Sequence, residues 1–526
     1  MDHSFEITRL VKNLKDGDTI TLENKEYHIY PDFLQERVIC VSNNDMDGFK
    51  KTAFLIENKN NITVDGNGAR LIFHGIANPF FITNSKNITI KNLSVDFKEL
   101  MYLHAKVTEV GNGYFCIKPI FPNVTVIDRR LYGVSESYTG IVKGISIDIN
   151  PETNDLREGI GDWVLGDYPW KVDYYAEQVG ENEFKITSDE FTAYPVCGDI
   201  FLWGFGKRFA PAVIINESEN VLLDSVTLHS AQAMGVLAQL SKDITVKKLT
   251  VRPSGDRYVS LYADGVHFSE CCGELVLDEC DIRNQMDDAL NCHGIYGQII
   301  KLIDKKTVAV RFVKADQRGL KIYNDGDRAE LIDYKTLITK AENTIQKADY
   351  INREIVILTF ERELEGINQY DVIENVSHIS NLTVKNCRFS GNRARGILIS
   401  TRGKVEVADN EFNVSGAAIR ISGDAASWFE SGCVKDLTVR NNRFKNCNRC
   451  PGWGNAVIDI APEIDNPSET EYYHSGINIC DNTFDVTNTP VLYAKSVDGL
   501  IFRDNIVNGE KHIITEACKN CVFEEE

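Results

Sequence analysis

Asn381-Leu-Thr-Val-Lys-Asn-Cys-Arg-Phe389 and Lys404-Val-Glu-Val-Ala-Asp-Asn-Glu-Phe412 are one phrase written twice. It recurs as Asn87-Ile-Thr-Ile90, Asp243-Ile-Thr-Val246, Glu274-Leu-Val-Leu277, Asp436-Leu-Thr-Val439 and Gly476-Ile-Asn-Ile479. A fixed distance downstream stand Leu93, Leu249, Cys280, Cys387, Asn410, Asn442 and Asn482, followed in step by Val95, Val251, Ile282, Phe389, Phe412, Phe444 and Phe484. Positions that hold phase over so much of a chain mark a solenoid. Each unit is made of short β-branched strands broken by Asn, Gly or Asp, with no helical periodicity between them. The expected fold is therefore all-β: a right-handed parallel β-helix solenoid whose Asn, Cys and Phe positions stack as ladders.

Working outward, the phrase vanishes twice. Between about Leu103 and Phe209, and again between about Tyr296 and Asp371, alternating segments such as Gly140-Ile-Val-Lys-Gly-Ile-Ser-Ile-Asp148 and Thr307-Val-Ala-Val-Arg-Phe312 take its place. These stretches predict two inserted antiparallel β-barrel modules. The chain then divides into an N-terminal cap and first coils (1–102), a first insert (103–209), central coils (210–295), a second insert (296–371) and C-terminal coils (372–526). The segment from Ile7 to Tyr30 reads as a short helix and a strand capping the first coil, which shields an otherwise open edge. The second insert, starting directly after His293-Gly294, is expected to wall the functional cleft.

The chain has 526 residues, too many for one ordinary compact core and suited to a repeat architecture. Its net charge of −20 argues against nucleic acid as a partner and disfavours polyanionic substrates. No apolar run reaches the length of a membrane span, so no membrane partner is expected. Met1-Asp-His-Ser-Phe5 shows neither a basic n-region nor an apolar h-region. A cytoplasmic location is the expectation, although a secreted protein whose leader had been removed would read the same. Several of the fourteen cysteines occupy strand positions, where thiols act as small hydrophobes. Cys447-Asn-Arg-Cys450 has half of a zinc-site spacing with no second pair, so metal is not expected there.

Chemistry concentrates in Ala263-Asp-Gly-Val-His-Phe268 and Gln285-Met-Asp-Asp-Ala-Leu-Asn-Cys-His-Gly294. Asp264 and Asp288 are one repeat length apart, so they should lie one above the other at the coil spacing of about 4.8 Å, with Asp287 beside them. Aligning the strands that follow places Val266, Leu290, Ile397 and Ile419 on one inward ladder and Phe268, Cys292, Ile399 and Ile421 on the next. His267 and Asn291 then face outward together. The acids should stand in turns ahead of these strands, since strict alternation would bury their charge. Single aspartates in solenoid turns are usually structural. Three within one coil turn, flanked by His267 and His293, point instead to paired acid–base chemistry.

These segments, together with Asn392-Arg-Ala-Arg-Gly-Ile-Leu-Ile-Ser-Thr-Arg-Gly403 and Trp428-Phe-Glu-Ser-Gly432, resemble glycoside hydrolase family 110 over most of the chain. The resemblance implies an exo-acting, inverting α-1,3-galactosidase, including enzymes that trim the blood-group B determinant. Its partner would be a glycan with a terminal α-galactose, with no cofactor and no metal. It implies Asp287 as general acid and Asp264 with Asp288 as a shared base, although the adjacent Asp287 and Asp288 could exchange roles. An inverting acid and base are expected about 6.5–9.5 Å apart. His267, Asn291, His293, Arg393, Arg395, Trp428 and Glu430 are the candidate substrate-binding residues. Solenoid flanks and inserted barrels commonly support dimers, so a homodimer is among the expectations.

Two other function classes compete. A polygalacturonase-like hydrolase of the same solenoid would want Gly-His-Gly and Arg-Ile-Lys phrases to grip uronate; the chain has His293-Gly294 and no Arg-Ile-Lys. A non-catalytic carbohydrate-binding β-helix gives no reason for Asp264, Asp287 and Asp288 to gather. Calcium, as in β-helix lyases, would also want a basic catalytic residue and an anionic substrate.

Overall fold

The computed structural model describes residues 2–44, 48–121, 123–135, 138–157, 165, 172–450 and 452–524. The repeated phrase forms one strand of a three-strand coil. In the coil holding Asp264 the strands are Val266–Ser269, Cys272–Asp278 and Asp281–Arg283, and the next coil begins with Leu290–Ile295. Each strand pairs in parallel with its equivalents in the coils above and below, as Val266↔Leu290↔Ile397↔Ile419 shows. These are the inward ladders expected from sequence, and their side chains are fully buried.

The turn chemistry explains why the phrase carries Asn and Asp. Asn386, Asp409, Asn441, Asp481 and Asp504 all adopt positive φ between 53° and 60°, a region short polar side chains tolerate best after glycine. Immediately after the last four of them, Asn410, Asn442, Asn482 and Asn505 turn inward as a ladder, in which the first three amides each donate to the next side-chain oxygen at 2.9–3.0 Å. The same oxygens accept backbone N–H groups at the bend, as Asn482 does from Asn442 at 2.9 Å. The ladder thus satisfies buried turn amides that no strand can reach. Phe389, Phe412, Phe444 and Phe484 stack beneath it at centroid distances of 4.8–5.2 Å.

At the N-terminal end the helix Ser4–Lys12 lays Ile7 and Val11 on the core, and Thr19–Thr21 and Glu26–Ile29 pair with Asn60–Phe73. The helix and strands cap the first coil as expected.

Register is kept straight through both inserts. Phe80 pairs with Val213 across the first and Leu290 with Ile397 across the second. The second insert is a closed six-stranded barrel running from Gly297–Leu302 to Val372–Asn375, slightly past the expected boundary at 371. The first differs from the expected barrel. Its described residues form a seven-stranded antiparallel sheet and a separate three-stranded sheet. The physical reason lies in its core, where Phe201 and Trp203 are buried together with Val259, Tyr262 and Met286 of the β-helix turns. Its apolar face is covered by the solenoid, and closure on itself is not needed. This packing seats the insert directly on the turns that carry Asp264 and Asp287.

Candidate active site

Asp264 and Asp288 occupy turns just before the strands Val266–Ser269 and Leu290–Ile295, as expected, but the turns do not spare them burial: they are 4% and 1% exposed. The coils approach closely here: the Gly265 N–H donates to the Asp288 carbonyl at 2.9 Å. A Cβ at position 265 would stand 2.6 Å from the Ala289 carbonyl oxygen, so the Asp-Gly pair is dictated by this approach. Asp287 lies alongside, and one oxygen from each of the three carboxylates falls within 4.8 Å of the others. They open into a cavity of about 540 Å3.

Every acid of the cluster already has a partner. Asp288 accepts from Arg395 Nε and Nη2 at 2.9 and 2.8 Å, and from the Arg395 backbone N–H at 3.0 Å. Asp287 Oδ2 accepts from Arg208 Nη2 at 2.6 Å. Asp264 Oδ2 lies 2.6 Å from His267 Nδ1, and its Oδ1 accepts the Asp288 N–H at 3.2 Å. Burial, reinforced by the Asp287 charge, pushes the Asp264 carboxyl up to about 8 against the pull of Arg208 and Arg395. Burial also pushes Asp288 up to about 7, opposed chiefly by Arg395. The geometry separates the two: both Asp288 oxygens accept from a guanidinium, which favours the anion, whereas Asp264 faces an imidazole that can take or give a proton. With two guanidiniums already on the cluster, the triad is a poor seat for a divalent cation.

The ten residues singled out from sequence divide. Asp264, Asp287, Asp288, Asn291, Arg393, Arg395, Trp428 and Glu430 all line the cavity. Asn291 presents a buried Oδ1 that finds no hydrogen-bond partner among the described residues. Trp428 is 43% exposed at the mouth, with the Lys314 ammonium 3.4 Å from its ring centroid. Arg395 is committed to Asp288 rather than free for a sugar. His267 and His293 are buried behind the wall rather than lining it. His267 Nδ1 lies on Asp264, and the strand Glu430–Ser431, paired with Gly294 and Ile295, brings the Glu430 carboxylate to 3.5 Å from His293 Nε2.

Sequence reasoning missed several lining residues: Asn43 and Asn44, Arg208, Tyr262, Asp316 and Trp453. Arg208 comes from the end of the first insert, where nothing in the sequence marks it. Its loop is held by the Gly206 N–H donating to Tyr262 Oη at 2.9 Å. Trp453 did leave a signal, since it sits in the turn equivalent to those of Asp264, Asp288 and Arg395. Its ring lies 4.7 and 5.2 Å from the Arg393 and Arg395 guanidiniums. The second insert contributes Asp316 to the wall, and the first contributes Ile145 and Gly206 to Arg208. Cys447 and Cys450 are both buried away from the cavity.

Residues 307–373 match the model of GLAA-B beta-barrel domain II, which covers most of the second insert. The chain is 31% identical to alpha-1,3-galactosidase B of Bacteroides thetaiotaomicron, over 96% of this chain and 85% of that protein. The chain belongs to the alpha-1,3-galactosidase family. It is likewise 32% identical to alpha-1,3-galactosidase B of Bacteroides fragilis, over 95% of this chain and 87% of that one. Alpha-1,3-galactosidase A of Shewanella woodyi is 29% identical over 88% of this chain and 76% of its own length. Relatives of both the A and the B designation therefore match along the β-helix and its inserts alike.

Proposed function

We propose that this chain is an exo-acting α-1,3-galactosidase that releases terminal galactose with inversion. The observation that carries this reading is the gathering of Asp264, Asp287 and Asp288 within 4.8 Å in one cavity, inside a family named for that activity. Walls from both inserts support exo action, because a pit of this kind admits a chain end rather than a chain middle. At about 540 Å3 the cavity lies in the range that buries a drug-sized ligand, leaving room for part of the aglycone beyond the terminal sugar.

In the proposed mechanism Asp287 protonates the glycosidic oxygen through the oxygen not engaged by Arg208. Asp264 and Asp288, stacked across neighbouring coils, hold and deprotonate a water that attacks the anomeric carbon from the opposite side. Protonation of the leaving group and proton loss from water balance across the reaction. The 4.8 Å within which the three acids each bring one oxygen is a distance between single atoms, and the roughly 6.5–9.5 Å that marks an inverting pair is measured between whole carboxyl groups. What favours inversion is that hydrogen bonds hold both oxygens of each member of the stacked pair in place, which restrains them from advancing on the anomeric carbon and leaves lone pairs to orient and deprotonate a water. Asp288 has both oxygens on Arg395, and Asp264 has one on His267 and one on the Asp288 amide.

Two measurements test the reading. Incubation with p-nitrophenyl α-galactoside, linear Gal-α-1,3-Gal and the branched B trisaccharide should release galactose from at least one α-1,3-linked substrate; none released rejects the activity. Proton NMR at early times should show β-galactose before mutarotation. Initial α-galactose would demonstrate retention and remove the water mechanism.

A further inference from the structure

Behind the cavity, and outside the reaction as described above, lies a line of buried hydrogen bonds. Asp264 Oδ2 is 2.6 Å from His267 Nδ1, His267 Nε2 is 3.0 Å from His293 Nε2, and His293 Nδ1 is 2.7 Å from the Gly294 carbonyl oxygen. Glu430 Oε1 lies 3.5 Å from the same His293 Nε2 and also accepts from Asn43 Nδ2 at 3.2 Å. Asp264, His267 and His293 are at most 4% exposed, so bulk water cannot satisfy them.

Donor–acceptor logic fixes the protons. A carbonyl only accepts, so His293 carries its proton on Nδ1. Two facing Nε2 atoms need one proton between them. If His293 is neutral, His267 donates from Nε2; a neutral His267 then has a bare Nδ1 and its contact with Asp264 requires a proton on the carboxyl, and moving that proton to Nδ1 gives an imidazolium against a carboxylate as the midpoint of the line. If His293 is doubly protonated, it donates from Nε2, His267 donates from Nδ1, and Asp264 is a carboxylate. The two arrangements contain the same number of protons and interconvert by two short transfers along the line.

We propose that Asp264, His267 and His293 share one mobile proton, and that His267 and His293 are positioning residues which ready Asp264 as a base by drawing that proton to His293 beside Glu430. The proposal rests on the reading of Asp264 as part of the base. No bond to carbon is involved: Asp264 gives its proton to His267 Nδ1 while His267 Nε2 gives the proton it carried to His293 Nε2, so each N–H bond formed is matched by an O–H or N–H bond broken. Water then surrenders its own proton to Asp264 or Asp288 during attack.

The surroundings suit both end states. Asp264 faces Asp287, Asp288 and Glu430 on the acidic side and Arg208 and Arg395 on the basic side. His267 is near Glu430, Asp287, Asp288 and Arg208, and His293 near Glu430, His267 and Glu270. Burial is the largest cause of the fall of His267 to about 4 and of the lowering of His293, against the upward pull of Glu430 on both, and it disfavours charge on either ring. Glu430 resists this: burial works upward on it, yet the positive charge of His293, His267 and Arg395 wins and its pKa falls. A carboxylate that stays ionised at the far end is what the proton-on-His293 state needs.

His293→Gln tests the idea, because the amide can accept from His267 but cannot hold a proton. In the wild type the fraction of Asp264 freed by internal transfer does not depend on pH. In the variant the side chain at position 293 can no longer take the proton, so freeing Asp264 for the reaction depends on loss to solvent through a pKa that burial holds above the ordinary carboxyl range. Galactose release should therefore fall by about tenfold per unit below that pKa and recover at pH 9 to within a few-fold of wild type, with KM little changed. A uniform loss at all pH values would make His293 merely structural and overturn the proposal. A second measurement needs neither a variant nor substrate. Nitrogen-15 NMR of histidine-labelled wild-type protein should show Nδ1 of His293 protonated and a proton shared across the two Nε2 atoms. Two neutral rings with His267 protonated only at Nδ1 would leave no proton between them and refute the relay, even if galactosidase activity is confirmed. If no substrate is cleaved while the NMR pattern holds, the functional reading has failed and the shared proton has not.

Discussion

Replacing Arg395 by methionine separates the structural assignment of this residue from the one its sequence suggested. The guanidinium gives two charge-assisted hydrogen bonds to Asp288, which is only 1% exposed, and the backbone N–H gives a third that survives the substitution. Removing one partner of a buried pair costs about 3–5 kcal/mol if the other stays charged. Asp288 can escape part of that cost by taking a proton, since its pKa already stands near 7. Loss of an adjacent arginine typically raises a carboxyl by about 1–3 units. Asp288 would then be neutral through the neutral range and unable to accept a proton from water. The acidic limb of kcat/KM should move upward by about 1–3 pH units, giving about 10- to 1,000-fold loss at pH 6 and partial recovery at pH 9. Lysine should rescue part of this, as a point charge without the planar fork. The assay is galactose release from an α-1,3-linked disaccharide between pH 5 and 9, with thermal unfolding as a control. A rise in KM with kcat and its pH profile unchanged would refute the reasoning, because Arg395 would then be holding sugar and not Asp288.

Asp287→Asn should lower activity on natural galactosides by about 10²–10⁴-fold and spare an activated aryl galactoside, which needs little protonation. Asp264→Asn should impair both substrates alike, and liberated galactose on the two substrates checks each claim. Asp148, in the first insert, bears on stability instead. Burial raises its carboxyl to about 7, and its Oδ2 accepts the Val196 N–H at 2.7 Å. A folded pKa above the unfolded value means that the folded state binds the proton more tightly, so this contribution is full below about pH 4 and lost as pH rises toward 7. Asp148→Asn keeps the acceptor and removes the charge, so its gain in Tm over wild type should be larger at pH 8 than at pH 5; calorimetry at both values decides.

The coils were readable because each inward position repeats its chemistry at each turn of the solenoid. Asn410, Asn442 and Asn482 could be placed from spacing alone, as could the inward ladder from Val266 to Ile419. The triad followed from the same register. What spacing could not supply was anything arriving from outside the repeat. Arg208 reaches Asp287 from the first insert, and Asn43 reaches Glu430 from the N-terminal segment, each across a long stretch of chain. Direction was the other gap. His267 was correctly placed facing outward, but outward on a bare solenoid means solvent, and here it means a covered interior. The spacing places Asp264 over Asp288 with Asp287 beside them, and all three bring an oxygen within 4.8 Å of the others.

That covering is what turns a ladder into a reactive site. A parallel β-helix presents its outward residues on a nearly flat, wetted face, where an aspartate has no reason to hold a proton near neutrality. Here the first insert packs over Tyr262 and Met286, and the strand Glu430–Ser431 pairs antiparallel with Gly294 and Ile295, closing the face from two sides. Desolvation is accordingly the first cause of the upward shifts of Asp264 and Asp288 and of the downward shift of His267. The inserts also bring the counter-charge, since Arg208 belongs to the first of them. The solenoid therefore sets the spacing of the acids, and the inserts set their protonation. A change at the interface between insert and solenoid, such as Tyr262→Phe, loosens the loop of Arg208 without touching an acid. It should alter the pH profile of galactose release before it alters the fold, and a variant with an unchanged profile would show that Arg208 is held by other contacts.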